Sequence, residues 1–75
     1  MLEVLYEALR GFLKLSYENI NNFKTHDIAY FSTKLDRIAE NCDALYQQRD
    51  LQALLKEANA LADLGDEIAR HKLKY

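Results

Sequence analysis

From Ile28 to Leu45, the residues Ile28, Phe31, Leu35, Ile38, Cys42 and Leu45 recur at alternating steps of three and four. Lys34, Asp36, Arg37, Glu40, Asn41 and Asp43 fill the positions between them. A stretch that is apolar along one line and charged elsewhere is an amphipathic helix, expected here over about residues 27 to 47. Its stripe is the narrow kind that meets one pair of neighbours.

The same periodicity predicts a helix on either side. In the first, over about residues 2 to 23, Leu2, Leu5, Leu9, Phe12, Ile20 and Phe23 trace one face. Tyr6, Leu13 and Tyr17 flank that face and Ser16 is its one polar interruption. Val4, Ala8 and Leu15 form a second apolar line off the main face, more than one side of a small bundle requires. Gly11 lies inside this helix at a cost of roughly 1 kcal/mol relative to Ala, which allows the close approach of another backbone or a slight bend.

The last helix, over about residues 50 to 72, carries a bulky line (Leu51, Leu54, Leu61, Leu64, Ile68) beside a small one (Ala58, Ala62, Gly65, Ala69). Small residues let helix axes approach and leave room for large side chains opposite. Phe12, Phe23, Tyr6 and Tyr17 are the expected large partners. Leu73 and Tyr75 lie past the main periodic face, where they are frayed or bound to something. Arg70, His71, Lys72 and Lys74 complement the dipole at that helix end.

The connections follow from local chemistry. Asn19, Asn21 and Asn22 weaken the end of the first helix, and Thr25 or Asp27 is the expected N-cap of the second. Beyond Leu45 the seam loses phase, because its continuation would bury Arg49, Gln52, Lys56 and Asn59. A tight turn over residues 47 to 50, capped by Asp50, explains this better than a register skip within one long helix. The turn Ala44-Leu45-Tyr46-Gln47-Gln48-Arg49-Asp50-Leu51, followed by Ala60-Leu61, resembles the turn between the helices of a tetratricopeptide unit. Arg49 stands where that turn has glycine, and no second copy follows at a period of roughly 34 residues, so an ordinary helix-turn-helix hairpin is expected. Short connections between helices impose antiparallel neighbours. The expected fold is therefore all-α: an antiparallel up-down-up three-helix bundle over residues 1–75, in one self-associating domain.

Composition sharpens the last point. In a chain of 75 residues, ordering costs on the order of 1.5 kcal/mol per residue, which apolar burial only about offsets. A lone Cys42 excludes an internal disulfide, and no Cys or His cluster suggests a zinc staple, so helix packing and association remain. With no proline and two glycines, propensity favours helix nearly throughout. The formal charge of −2, with both signs interspersed, lacks the electrostatic footprint of a nucleic-acid binder. Glu3 and Glu7 interrupt any signal-like apolar run, and no segment approaches a membrane span, so a soluble cytoplasmic protein is expected.

Candidate chemistry is sparse. His26 reads as an exposed loop histidine with no nucleophile near it in sequence. His71 lies four residues after Glu67, the spacing of an intrahelical ion pair, and a metal would need a further ligand. Cys42 is a seam residue without basic neighbours to activate it. Asp36, Glu40 and Asp43 interleave with Lys34 and Arg37 as a solvated face, and neither a phosphate loop nor a nucleophile elbow occurs.

Five Tyr and three Phe exceed what one small core must hold, and Tyr30 and Tyr46 fall outside or beside the central seam. The expectation is a non-enzymatic protein-interaction module such as a small regulator, adaptor or secretion-type chaperone. It would act without metal or cofactor through Val4, Ala8, Leu15, Tyr30 and Tyr46, on another protein or on itself as a homodimer. The rival readings are weaker. A helix-turn-helix nucleic-acid binder using Arg70 to Lys74 is opposed by Asp63, Asp66 and Glu67. A ligand or metal site assembled across a homo-oligomer would leave a cofactor or metal with the purified protein. A membrane-surface helix over residues 2 to 23 has its basic residues cancelled by Glu3, Glu7 and Glu18.

Overall fold

In the computed structural model, which describes residues 1–74, the chain forms three helices: α1 (Leu2–Ile20), α2 (Thr25–Gln47) and α3 (Leu51–Lys74). No strand occurs among the described residues, and every helix packs on both others in an all-α three-helix bundle. Cross-helix contacts run in opposite directions. As α1 advances from Tyr6 to Tyr17, its partners on α2 recede from Asp43 to Asp36. As α2 advances from Asp27 through Tyr30 to Asn41, its partners on α3 recede from His71 through Glu67 to Glu57. The topology is up-down-up, which leaves α1 and α3 parallel.

The central seam is buried as its spacing requires, with Phe31, Leu35, Ile38 and Cys42 inside and Ile28 and Leu45 packed against them. Leu9, Leu13 and Ile20 of α1 and Leu54, Leu61, Leu64 and Ile68 of α3 complete the core. On α1 the buried face is turned relative to the expected one. Leu13, expected on the flank, is buried, whereas Phe12, expected on the main face, remains 45% exposed. The polar interruption Ser16 is also inside, where its hydroxyl donates to the Phe12 carbonyl at 2.9 Å and so meets the hydrogen-bonding need that burial creates.

The helix ends show which local signals prevailed. Helix α1 stops at Ile20, three residues short of the expected end; the Asn21 N–H turns back to the Glu18 carbonyl and the Phe23 N–H to that of Ile20. Helix α2 begins two residues early, and its N-cap is Lys24, with extended backbone and no side-chain cap, in place of Thr25 or Asp27. Asp27 falls in the first turn instead, where its charge still complements the helix dipole. Its carboxylate is held by His71 Nε2 at 3.1 Å and faces His26 Nε2 at 3.3 Å.

Residues 48–50, directly after Gln47 ends α2, form the turn that the phase change implied. The Arg49 N–H bonds the Tyr46 carbonyl and the Asp50 N–H that of Leu45, the paired bonds of a Schellman motif. Arg49 occupies the left-handed position of that motif, φ 58°, where glycine is the unstrained residue. Asp50 then caps α3 by accepting the Ala53 N–H at 3.1 Å. Leu73 lies in the last turn of α3 and is 88% exposed, and Tyr75 lies outside the described residues.

Candidate interaction surface

Each pair of helices is closed by different chemistry. Between α1 and α2, the Tyr6 hydroxyl donates to Asp43 while accepting from Arg10 Nη1 at 3.0 Å. The Tyr6 ring stacks on Tyr46 with centroids 4.0 Å apart, and the Arg49 guanidinium lies 5.4 Å from the Tyr46 centroid. One helical span further on, Tyr17 donates to Asp36. Burial first, then this hydrogen bond and the Asp36 charge, push the Tyr17 hydroxyl up to about 12.

Between α2 and α3, Asn41 Nδ2 donates to Glu57 at 3.0 Å. Tyr30 donates to Glu67 at 3.3 Å, and the Lys34 ammonium sits 4.5 Å from the Tyr30 ring centroid and 3.9 Å from Glu67. Glu67 is thus engaged by α2, and the expected His71–Glu67 pair is replaced by one that bridges helices. His71 packs edge-on against Phe23 and Phe31 and reaches Asp27. Burial among these rings excludes the water that would compete for the bond, which favours the distant partner over an exposed local one.

The contact between α1 and α3 is apolar. The Phe12 ring lies directly over Gly65, so close that a Cβ there would stand 3.1 Å from Phe12 Cζ. Among the expected large partners of the small line, Phe12 takes this place, while Tyr6 and Tyr17 turn to α2 and Phe23 to Phe31 and His71. Outside this contact the surface stays apolar. Val4 is 68% exposed, Leu15 59% and Leu55 48%, and Ala8, Ala62 and Ala69 are exposed between them.

At about 100° per residue, Val4, Ala8 and Leu15 fall within roughly 40° of one another on the side of α1 that carries Phe12. Leu55, Ala62 and Ala69 do the same on the side of α3 that carries Gly65. Because the helices are parallel with Phe12 level with Gly65, the two lines run side by side as one long apolar face. The structure therefore brings Val4, Ala8 and Leu15 together and adds Phe12, Leu55, Ala62 and Ala69. Tyr30 lies on the α2–α3 side, and Tyr46 has one ring face covered by Tyr6. Leu55 was legible only as the start of a seven-residue repeat with Ala62 and Ala69, since its neighbour Leu54 is the core residue.

Ionisable groups offer little chemistry. Burial, then the charges of Glu57 and Asp43, push the Cys42 thiol up to about 11, so it stays protonated at neutral pH. Among the described residues, no group of three or more His, Cys, Asp or Glu is placed to hold a metal ion, and no helix is long and apolar enough to cross a membrane. The chain matches no protein-family model, no curated protein and no solved structure.

Proposed function

We propose that the protein is a non-enzymatic protein-interaction module, a small cytoplasmic regulator, adaptor or chaperone-like protein that binds another protein or a further copy of itself through the α1–α3 face. The single observation behind this reading is the continuity of exposed Val4, Phe12, Leu15 and Leu55 along two parallel helices. Scattered exposed leucines are ordinary, but a contiguous apolar strip on a small protein marks a binding surface. The polar closures on the other two sides of the bundle support it by contrast, because those seams are already satisfied within the chain.

A photo-crosslinking side chain placed at Leu15 in the producing cell tests the proposal, with the exposed charged position Arg37 of α2 as the control. Protein adducts are expected from Leu15 at several times the yield from Arg37. Equal yields, or none from Leu15, would sink the reading.

A further inference from the structure

We infer that the occupant of this face is a second copy of the same chain, joined antiparallel through the outer seam of α1; the inference rests on the interaction reading above and names its partner. Val4, Ala8, Gly11 and Leu15 recur at steps of four, three and four, the alternation that buries the α2 seam inside the bundle. All four are exposed. A helix whose second stripe repeats in this way is built to meet a further helix.

Gly11 is the most specific part of the pattern. A Cβ added there would meet nothing within 4 Å, so no neighbour within the chain requires glycine in the middle of α1, where it weakens the helix. A second helix crossing closely does require it. The seam is also its own complement when reversed. About a twofold axis between Ala8 and Gly11, the small Ala8 of one copy meets Gly11 of the other, and Val4 meets Leu15.

Charge selects the same direction. Glu7 and Lys14 flank one edge of the seam, and among the described residues neither takes an ion-pair partner in the chain. In an antiparallel pair the residues along one edge meet their counterparts from the other end, so Glu7 of each copy meets Lys14 of the other. Antiparallel pairing also offsets the helix dipoles, which the parallel α1 and α3 of one copy do not. Leu55 and Ala62 of α3 extend the contact. One long side of the bundle, 39 by 17 Å, projects on the order of 650 Å² before the ridging of its side chains is counted, comparable to the roughly 800 Å² that each partner contributes to a stable interface.

Sedimentation equilibrium at about 100 µM, far above a micromolar dissociation constant, tests the inference. The expected mass is twice the 8.8 kDa of one chain. Gly11→Leu and Leu15→Glu are expected to return the mass to 8.8 kDa with undiminished helical circular dichroism, since both positions are exposed in the single chain. Glu7→Lys weakens the dimer about tenfold by setting like charges opposite each other at two symmetric sites, and Glu7→Lys/Lys14→Glu restores it. A single-chain mass for the wild type, a dimer indifferent to Gly11→Leu, or a charge swap that fails to restore association would each overturn the inference. A monomer whose Leu15 crosslinker captures a different protein overturns the second copy alone and leaves the proposed function standing; a monomer with no adduct overturns both.

Discussion

Toward α2, helix α1 presents Tyr6 and Tyr17, whose rings pack against the core while their hydroxyls reach Asp43 and Asp36. Toward α3 it presents Phe12, which covers Gly65 and has no polar end to turn outward. The difference is a single oxygen per ring, and it decides how a groove meets water. A tyrosine at the lip of a helix pair buries its body and finishes in a hydrogen bond, so the seam is closed within the chain. A phenylalanine at the same kind of position leaves the lip apolar, and Val4, Leu15 and Leu55 beside it enlarge the strip. One helix thus has a finished flank and an unfinished one.

The largest effect that separates these flanks compares two leucines two residues apart on α1. Leu13 is 6% exposed and Leu15 59%. In urea denaturation at concentrations where the chain is monomeric, Leu13→Ala is expected to cost about 3 kcal/mol, the ordinary price of a core leucine, and Leu15→Ala less than about 0.5 kcal/mol. A comparable loss at both positions would show that Leu15 supports the single-chain fold, and the contrast between the flanks would fail.

The next effect sharpens the tyrosine flank. Free tyrosine ionises near 10.0, whereas Tyr17 in the fold is raised to about 12. Between these values the unfolded chain loses a proton that the folded chain retains, so this contribution is fully present below about pH 10 and is lost as pH rises toward 12. Stability measured by chemical denaturation should fall over that window, and Tyr17→Phe should flatten the fall relative to wild type. An unchanged alkaline slope in the variant would remove Tyr17 from the account.

The smallest effect uses the two glycines. In the Leu15→Glu background, which removes association, Gly11→Ala should raise stability by about 1 kcal/mol because the added methyl meets open space. Gly65→Ala should gain less or lose stability, since its Cβ would press on Phe12 at 3.1 to 3.2 Å. Equal gains at both sites would mean that Phe12 swings away freely and that the α1–α3 contact is loose.

Much of the architecture was legible because it depends on local periodicity. The α2 seam repeats without interruption, and the loss of phase after Leu45 forces a turn that Asp50 was chemically suited to cap. The N-cap of α2 was not legible for a corresponding reason. Thr25 and Asp27 are both capping residues by type, yet Asp27 is engaged by His71, 44 positions away, and helix α2 starts without a side-chain cap. Spacing pairs His71 with Glu67, but its ring is placed by Phe23 of the α1–α2 connection and Phe31 of α2, which meet α3 only after folding. The apolar face is half visible in the sequence: Val4, Ala8 and Leu15 stand out as surplus on α1, while Phe12 reads as a core residue and Leu55 belongs to neither line expected on α3.

By itself the sequence determined the number of helices, their approximate bounds, the up-down-up order and the presence of more apolar surface than one small core absorbs. These follow from the 3.6-residue period, from caps and turns, and from short connections, all of which act over a few residues. The tertiary structure alone decided how α1 is rotated about its axis. A shift of one residue, about 100°, separates Leu13 from Phe12, and local preference is indifferent to it. Three helices packing at once fix that rotation, and with it the line along which Val4, Ala8, Gly11 and Leu15 face outward.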